Sequence, residues 1–422
     1  MSSLHFWELP KECRFYLNKE FWNKVYLYKK YKFKSWNTVS KQLKINYGAL
    51  RNYLSQKNNT KKAQFIPKET LCNIASLFNI SLQETERCIY LSKSGETGKP
   101  VNLNFPINFL TEEWAGLVGA LLSEGCMTKE YDLTFWNKDK EVINKFIILT
   151  EKIIPKAVYF SKYKDAYYCI LPKIISQLLI HGLDFHIGDK VNADPKIPKI
   201  YRDLNLSNPK NKEIIRSLIS WLFTGDGWIS LFKDYLGKTH RHMGIGFSII
   251  SKNKAPRLLE DTHTLIKKFG IHPQKLNFSK KTSYFKKNKL QITESWKFFI
   301  HGKRNFEIFR DNINFQDTRR KEILQKSIKS FVKPNLRKGE PIVKIVNSVI
   351  NLSPCNKHNI LKDTGLNLKR IEILLKEAKD KGFVKVTSGG EKANFSYGRK
   401  PYIYNYTNNG IKFIEENGGK FL

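Results

Sequence analysis

The chain has 422 residues and carries 74 Lys and Arg against 38 Asp and Glu, a formal charge of +36. Hydrophobic residues at 41% and aromatics at 13% suffice for ordinary cores, which excludes wholesale disorder. No run approaches the roughly 18 apolar residues of a membrane span, and the start has no basic-then-apolar export segment.

At about 150 residues per domain the length predicts two to four domains. Six cysteines without a Cys-x-x-Cys pair fit reduced thiols and argue against a disulfide framework or zinc ribbon. That points to a cytoplasmic, nucleoid-associated protein with no membrane partner. Lys and Arg are spread along the chain, so folded domains carry the charge. A field of this sign attracts polyanions, and nucleic acid is the abundant one.

Residues 1–92 show apolar positions at helical spacing and read as an all-α domain. Within it, Trp36 to Leu54 resembles a helix-turn-helix. Val39 and Leu43 line one helix, Ile45-Asn46 makes the turn, and Ala49, Leu50 and Tyr53 bury the next. Asn46, Tyr47, Arg51 and Asn52 are left to face bases or phosphates. Residues 93–102, rich in Ser, Gly and Lys, read as a linker.

Residues 103–330 contain a weak internal repeat, with halves of about 103–200 and 201–330. Each half has a helix closing in acid-Gly, a strand closing in Asn-Lys or Ser-Lys, and a second helix. The paired acids are Glu124 and Asp226. In the first helix Ala115, Gly116, Gly119 and Ala120 supply small residues that let two backbones approach closely. Gly125 is expected to end that helix in the left-handed region. A carboxylate beside the negative end of a helix dipole needs a compensating cation. Two such helices side by side would bring both acids together, the donor set that hydrated Mg²⁺ takes.

Leu117-Val-Gly-Ala-Leu-Leu-Ser-Glu-Gly125 and Ile219-Ser-Trp-Leu-Phe-Thr-Gly-Asp-Gly227 resemble the two nonapeptide signatures of a single-chain LAGLIDADG homing endonuclease. The resemblance covers about half the chain. It implies an α+β fold of two pseudo-symmetric αββαββα halves with saddle-shaped antiparallel sheets in the DNA major groove. It further implies a monomer acting as a pseudo-dimer that hydrolyses phosphodiesters at specific double-stranded sites. Glu124 and Asp226 would hold Mg²⁺ (or Mn²⁺), and Lys164 and Lys289 would be the basic residues near the scissile phosphates. Lys281, Tyr284, Lys286 and Lys287 fit a DNA-facing saddle strand or its hairpin loop. Two departures stand out. Leu122 and Thr224 occupy the position where the signature has Asp. Trp221 replaces its central glycine, so the indole either packs over Gly119 of the partner helix or holds the helices apart.

Residues 331–341 read as a second linker, and 342–422 resemble a winged helix: three helices, then a β-hairpin. Arg370 and Lys376 lie on its third helix, and Arg399 and Lys400 in the wing. His240-Arg-His242 invites a metal reading, but solvated histidines fit better because no further ligands sit at the right spacing. Two alternatives to the endonuclease remain open: a DNA-binding transcriptional regulator that has lost turnover, and an RNA-binding intron maturase.

Overall fold

Cys13, Phe15 and Leu17 are fully buried while Arg14 and Tyr16 between them are not, the period-two pattern of a half-buried strand. In the computed structural model, which describes residues 3–58, 63–235, 239–250, 253–286, 289–331, 339–388 and 401–417, that segment is a strand. With β1 (Ser3–Leu4) preceding it, this β2 (Cys13–Leu17) lies between β3 (Ile66–Pro67) and β4 (Ile89–Ser94) in an antiparallel sheet. Around it stand α1 (Lys19–Lys32), α2 (Trp36–Leu43), α3 (Tyr47–Leu54), α4 (Lys68–Leu77) and α5 (Leu82–Arg87). The expected all-α domain is thereby corrected. The buried positions of β4 are Ser92 and Ser94, so hydrophobic periodicity could not mark it as a strand. The expected linker begins inside β4, and Val101 returns to bridge Ser92.

After β5 (Ile107–Asn108), which pairs with β1, the repeat appears as two series with one element order. The first is α6 (Glu112–Glu124), β6 (Gly125–Met127), β7 (Leu133–Asn137), α7 (Lys140–Ile153), β8 (Tyr159–Tyr163), β9 (Ala166–Leu171) and α8 (Lys173–Leu183). Short helices α9 (Lys190–Ala193) and α10 (Lys199–Arg202) connect it to the second. That series is α11 (Pro209–Asp226), β10 (Gly227–Lys233), β11 (Thr239–Ile250), α12 (Arg257–Lys268), β12 (Asn277–Lys286), β13 (Lys289–Ile300) and α13 (Lys303–Asn312), followed by α14 (Thr318–Lys329). The strand orders are β6-β7-β9-β8 and β10-β11-β13-β12, which match position for position.

Capping sets where the two long helices begin. Thr111 accepts from Trp114 N before α6, and Asn208 accepts from Lys210 N before α11, which starts on a proline. The end of α6 differs from expectation. Gly125 (φ −81°, ψ 152°) and Gly227 (φ −84°, ψ 160°) are extended, and each helix runs straight into a strand. Space is what demands glycine here. A β-carbon would stand 2.4 Å from Leu121 O at Gly125 and 2.5 Å from Phe223 O at Gly227.

The chain divides into two compact units, Met1–Ser230 with Arg241–Ile328, and Leu231–His240 with Lys329–Leu422. In the second, α15 (Glu340–Leu352), α16 (Lys357–Thr364) and α17 (Leu368–Asp380) bury Ile345, Val346, Ile360, Ile371 and Leu375 in one core. The hairpin of β14 (Val384–Ser388) and β15 (Ile403–Tyr406) follows, and then α18 (Asn408–Asn417), a helix absent from the sequence reading. Among the described residues no helix is long and apolar enough to cross a membrane.

Candidate nucleic-acid interface

α6 and α11 pack along their length through small residues. A β-carbon at Gly119 would lie 2.2 Å from Leu218 O, and one at Gly225 would lie 2.4 Å from Ser123 Cβ. Trp221 neither covers Gly119 nor separates the helices. Its Cδ1 lies 3.1 Å from the β-carbon position of Gly116, and its indole meets Phe135 and Phe146 edge-on at 6.3 and 6.1 Å. The close backbone contact sits at Gly119, while the large side chain is absorbed by the first sheet's core. Leu122 and Thr224, at the departing signature position, are both buried, and Thr224 Oγ1 accepts from Gln316 N at 2.8 Å.

This packing brings Glu124 and Asp226 into one electrostatic cluster. The Gly225 β-carbon position is 3.0 Å from Glu124 Cγ, so the Glu124 stem lies beside the residue preceding Asp226. Burial pushes the Asp226 carboxyl up to about 7, and the Glu124 charge adds to the rise against Lys190 and Arg320. Burial raises Glu124 as well, opposed by the same two cations. Lys190 Nζ stands 3.9 Å from Asp226 Oδ2. Arg320 donates from Nη1 to the Thr224 carbonyl in the last turn of α11, and is held by Asp317 at 3.3 Å. Lys190 and Arg320 offset the burial of the two carboxyls only in part, and Asp226 Oδ2 is buried without a hydrogen-bond partner. Among the described residues there is no group of three or more His, Cys, Asp or Glu that could hold a metal.

Neither Lys190, in α9, nor Arg320, in α14, was singled out in the sequence, because each lies tens of residues from the acids and no local motif marks it. The expected lysines lie elsewhere. Lys164 occupies the β8–β9 turn with φ 52°, its Nζ 5.5 Å over the Tyr163 ring. It precedes β9, whose Cys169 shares a row with Phe135 and Gly125. Lys289 pairs in register with Lys286 at the end of the β12–β13 hairpin. His240 Nε2 is bound to Asp234 Oδ2 at 2.8 Å.

Each four-stranded sheet buries one face and leaves side chains on the other half-buried. In the first, Leu133, Phe135, Cys169 and Leu171 face the core, and Trp136 stacks on Tyr168 at 4.6 Å on the opposite side. In the second, Met243, Ile245, Phe298 and Ile300 are buried. Opposite them Lys297 Nζ lies 5.3 Å over Phe299, which stacks on His301. Gly244 makes room for Trp228, whose Cζ2 is 2.8 Å from the missing β-carbon. Lysine stems over aromatic rings leave ammonium groups and π-faces together, a surface suited to phosphates and bases. Of the residues expected on this sheet, Lys281 is exposed and pairs with the buried Glu294 at 3.6 Å. Tyr284 and Lys286 lie on β12, with their side chains outside the described residues, as Lys287 is altogether.

The helix-turn-helix expectation can be followed residue by residue. Ser35 caps α2, Lys44 ends it in the left-handed region, and Asn46 caps α3 by accepting from Gly48 N at 2.7 Å. Leu50, Tyr53 and Leu54 are buried, whereas Asn46, Tyr47 and Arg51 are exposed and Asn52 is half-buried. In the second unit Arg370 and Lys376 are exposed on α17, and Arg399 and Lys400 lie outside the described residues.

No protein-family model matches the chain, and no curated protein matches it. Among solved structures, the crystal structure of full-length DUF199/WhiA from Thermatoga maritima matches with 11% identity and a TM-score of 0.30. It covers 66% of this chain and 94% of its own. A likeness at that level assigns neither fold nor function. The expected family is corrected on the family comparison: the nonapeptides bring no LAGLIDADG match. The expected phosphodiester hydrolase is withdrawn with it.

Proposed function

We propose that the protein binds duplex DNA and acts by occupying it, as a regulator that does not cut. The observation that carries this reading is the α2–α3 pair. Its second helix is capped at Asn46, buries Leu50, Tyr53 and Leu54, and leaves Tyr47 and Arg51 exposed at its start and middle. A helix presented in this way can lie in a major groove with its N-terminal residues against base edges. The charge of +36 supplies the sequence-independent part of the affinity. The sheet faces opposite the cores, with half-buried Lys297, Phe299, Trp136 and Tyr168, support a larger footprint than the helix pair alone.

The test is selection from a randomised duplex library, followed by retention of the winners across a salt series. The reading expects tight retention at low salt, a steep linear fall of log affinity with log salt, and intact DNA recovered in Mg²⁺. Absence of retention at about 50 mM salt, where phosphate contacts are strongest, would overturn it, and so would strand breaks.

A further inference from the structure

The β12–β13 hairpin runs out past the body of its sheet. Lys281, Thr282 and Ser283 are all exposed in succession, so neither face of β12 is covered there. Farther out, Phe285 and Leu290 are cross-strand partners and stand 77% and 57% exposed. The next register pair is Lys286 with Lys289. An apolar pair at the tip of a lysine-rich ribbon needs a partner that is anionic outside and apolar within. Stacked base pairs between two phosphate rails have that chemistry, and the net charge of +36 favours them over other apolar surfaces.

The root of the ribbon is fixed. Glu294, 3% exposed, holds Lys281 at 3.6 Å and accepts from Asn253 N at 3.1 Å. Gln291 Nε2 donates to Asn192 Oδ1 at 3.2 Å. A hairpin held at its base delivers its tip in a set direction.

We infer that this hairpin is a DNA-bending arm whose Phe285 and Leu290 enter between adjacent base pairs, unstack one step and kink the duplex. The inference rests on the DNA-binding reading. Side-chain wedges of this kind bend DNA by roughly 20–90°.

Ring closure tests it. A fragment about 120 base pairs long with cohesive ends, shorter than the ~150-base-pair persistence length of DNA, circularises poorly on its own. The wild-type protein is expected to raise the yield of ligated circles about tenfold or more, the consequence of a kink within the wedge range. Phe285→Ser with Leu290→Ser should abolish that gain, while filter retention of the same fragment falls less than about tenfold, since phosphate contacts remain. Phe285→Met with Leu290→Met, which keeps an apolar tip, should restore it, and circular dichroism should show all three proteins folded. Retention without closure by the wild type overturns the arm, as does undiminished closure by the serine variant, and both leave DNA binding standing. An acidic protein as the true occupant would show itself as closure indifferent to the tip. Failure of the wild type to retain the fragment at all would overturn the DNA-binding reading itself.

Discussion

Gly119 of α6 lies directly against the backbone of Leu218 of α11, so close that a β-carbon would stand 2.2 Å from the Leu218 carbonyl oxygen. Backbone cannot rotate away as a side chain can, so this contact sets the separation of the two helices. Everything at their C-terminal ends, including Glu124 and Asp226, inherits that separation.

Gly119→Ala is therefore expected to destabilise the fold by about 3 kcal/mol, the upper range for overpacking, because the helices must move apart. Gly116→Ala should cost less. Its β-carbon meets Ser217 Oγ at 2.7 Å and Trp221 Cδ1 at 3.1 Å, both side-chain atoms with some freedom. Urea denaturation of the two variants checks the ranking. Equal costs would show that the Leu218 carbonyl is not the limiting contact.

The repeat was legible because its chemistry is local. Small residues recur along Ala115 to Ala120, the acid-glycine pairs follow, and the strands come at matched distances. Other features are not local, and the sequence hid them. β4 buries serines, so no apolar alternation announced it. Gly125 looked like a left-handed helix stop, yet its need for glycine, like that of Gly227, comes from a carbonyl one turn back, Leu121 or Phe223. The sequence left Trp221 either over Gly119 or between the helices, but the Phe135 and Phe146 rings from β7 and α7 form its pocket. Lys190 and Arg320 reach the acids only through tertiary folding, which no spacing rule encodes.

Asp226 should make stability depend on pH in an unusual direction. Its pKa is raised to about 7 in the fold from an ordinary 3.8, so the folded protein holds this proton more tightly than the unfolded chain does. Its contribution then declines as pH rises from about 4 to about 7 and is fully unfavourable above. Asp226→Asn is expected to raise stability at pH 8 by about 1–3 kcal/mol, discounted for a side chain 26% exposed, and to change little near pH 4. Lys190→Ala should act in the opposite sense above pH 7 by removing the facing cation. Melting temperatures across this range decide it, and an Asn variant no more stable than wild type at pH 8 would refute the burial argument.

His186 contributes with the reverse slope. Burial, with Lys190 adding to it, pushes its pKa down to about 4, and its Nδ1 is buried without a hydrogen-bond partner. The unfolded chain takes up this proton first, so stability is lost as pH falls from about 6.5 to about 4. His186→Gln should flatten that acid limb relative to wild type while leaving stability at pH 8 nearly unchanged. A parallel acid limb in the variant would assign the loss to other groups.

Arg51 is exposed at mid-helix on α3, and its role separates from that of Asn46. Arg51→Ala removes a charge and no buried contact, so thermal stability should hold within about 0.5 kcal/mol. If Arg51 meets a phosphate, affinity falls similarly for all sequences and the salt slope drops by about 1. If it reaches a base, affinity falls by about 1–3 kcal/mol with specificity relaxed at one position. Asn46→Ala instead removes the cap that accepts from Gly48 N, at about 1 kcal/mol of helix stability. Its binding loss should therefore follow local unfolding and recover on cooling, whereas that of Arg51→Ala should not. Binding isotherms for both variants at two temperatures and several salt concentrations distinguish these outcomes. Wild-type binding by Arg51→Ala at every salt concentration would remove α3 from the interface and leave the sheet faces to account for DNA binding.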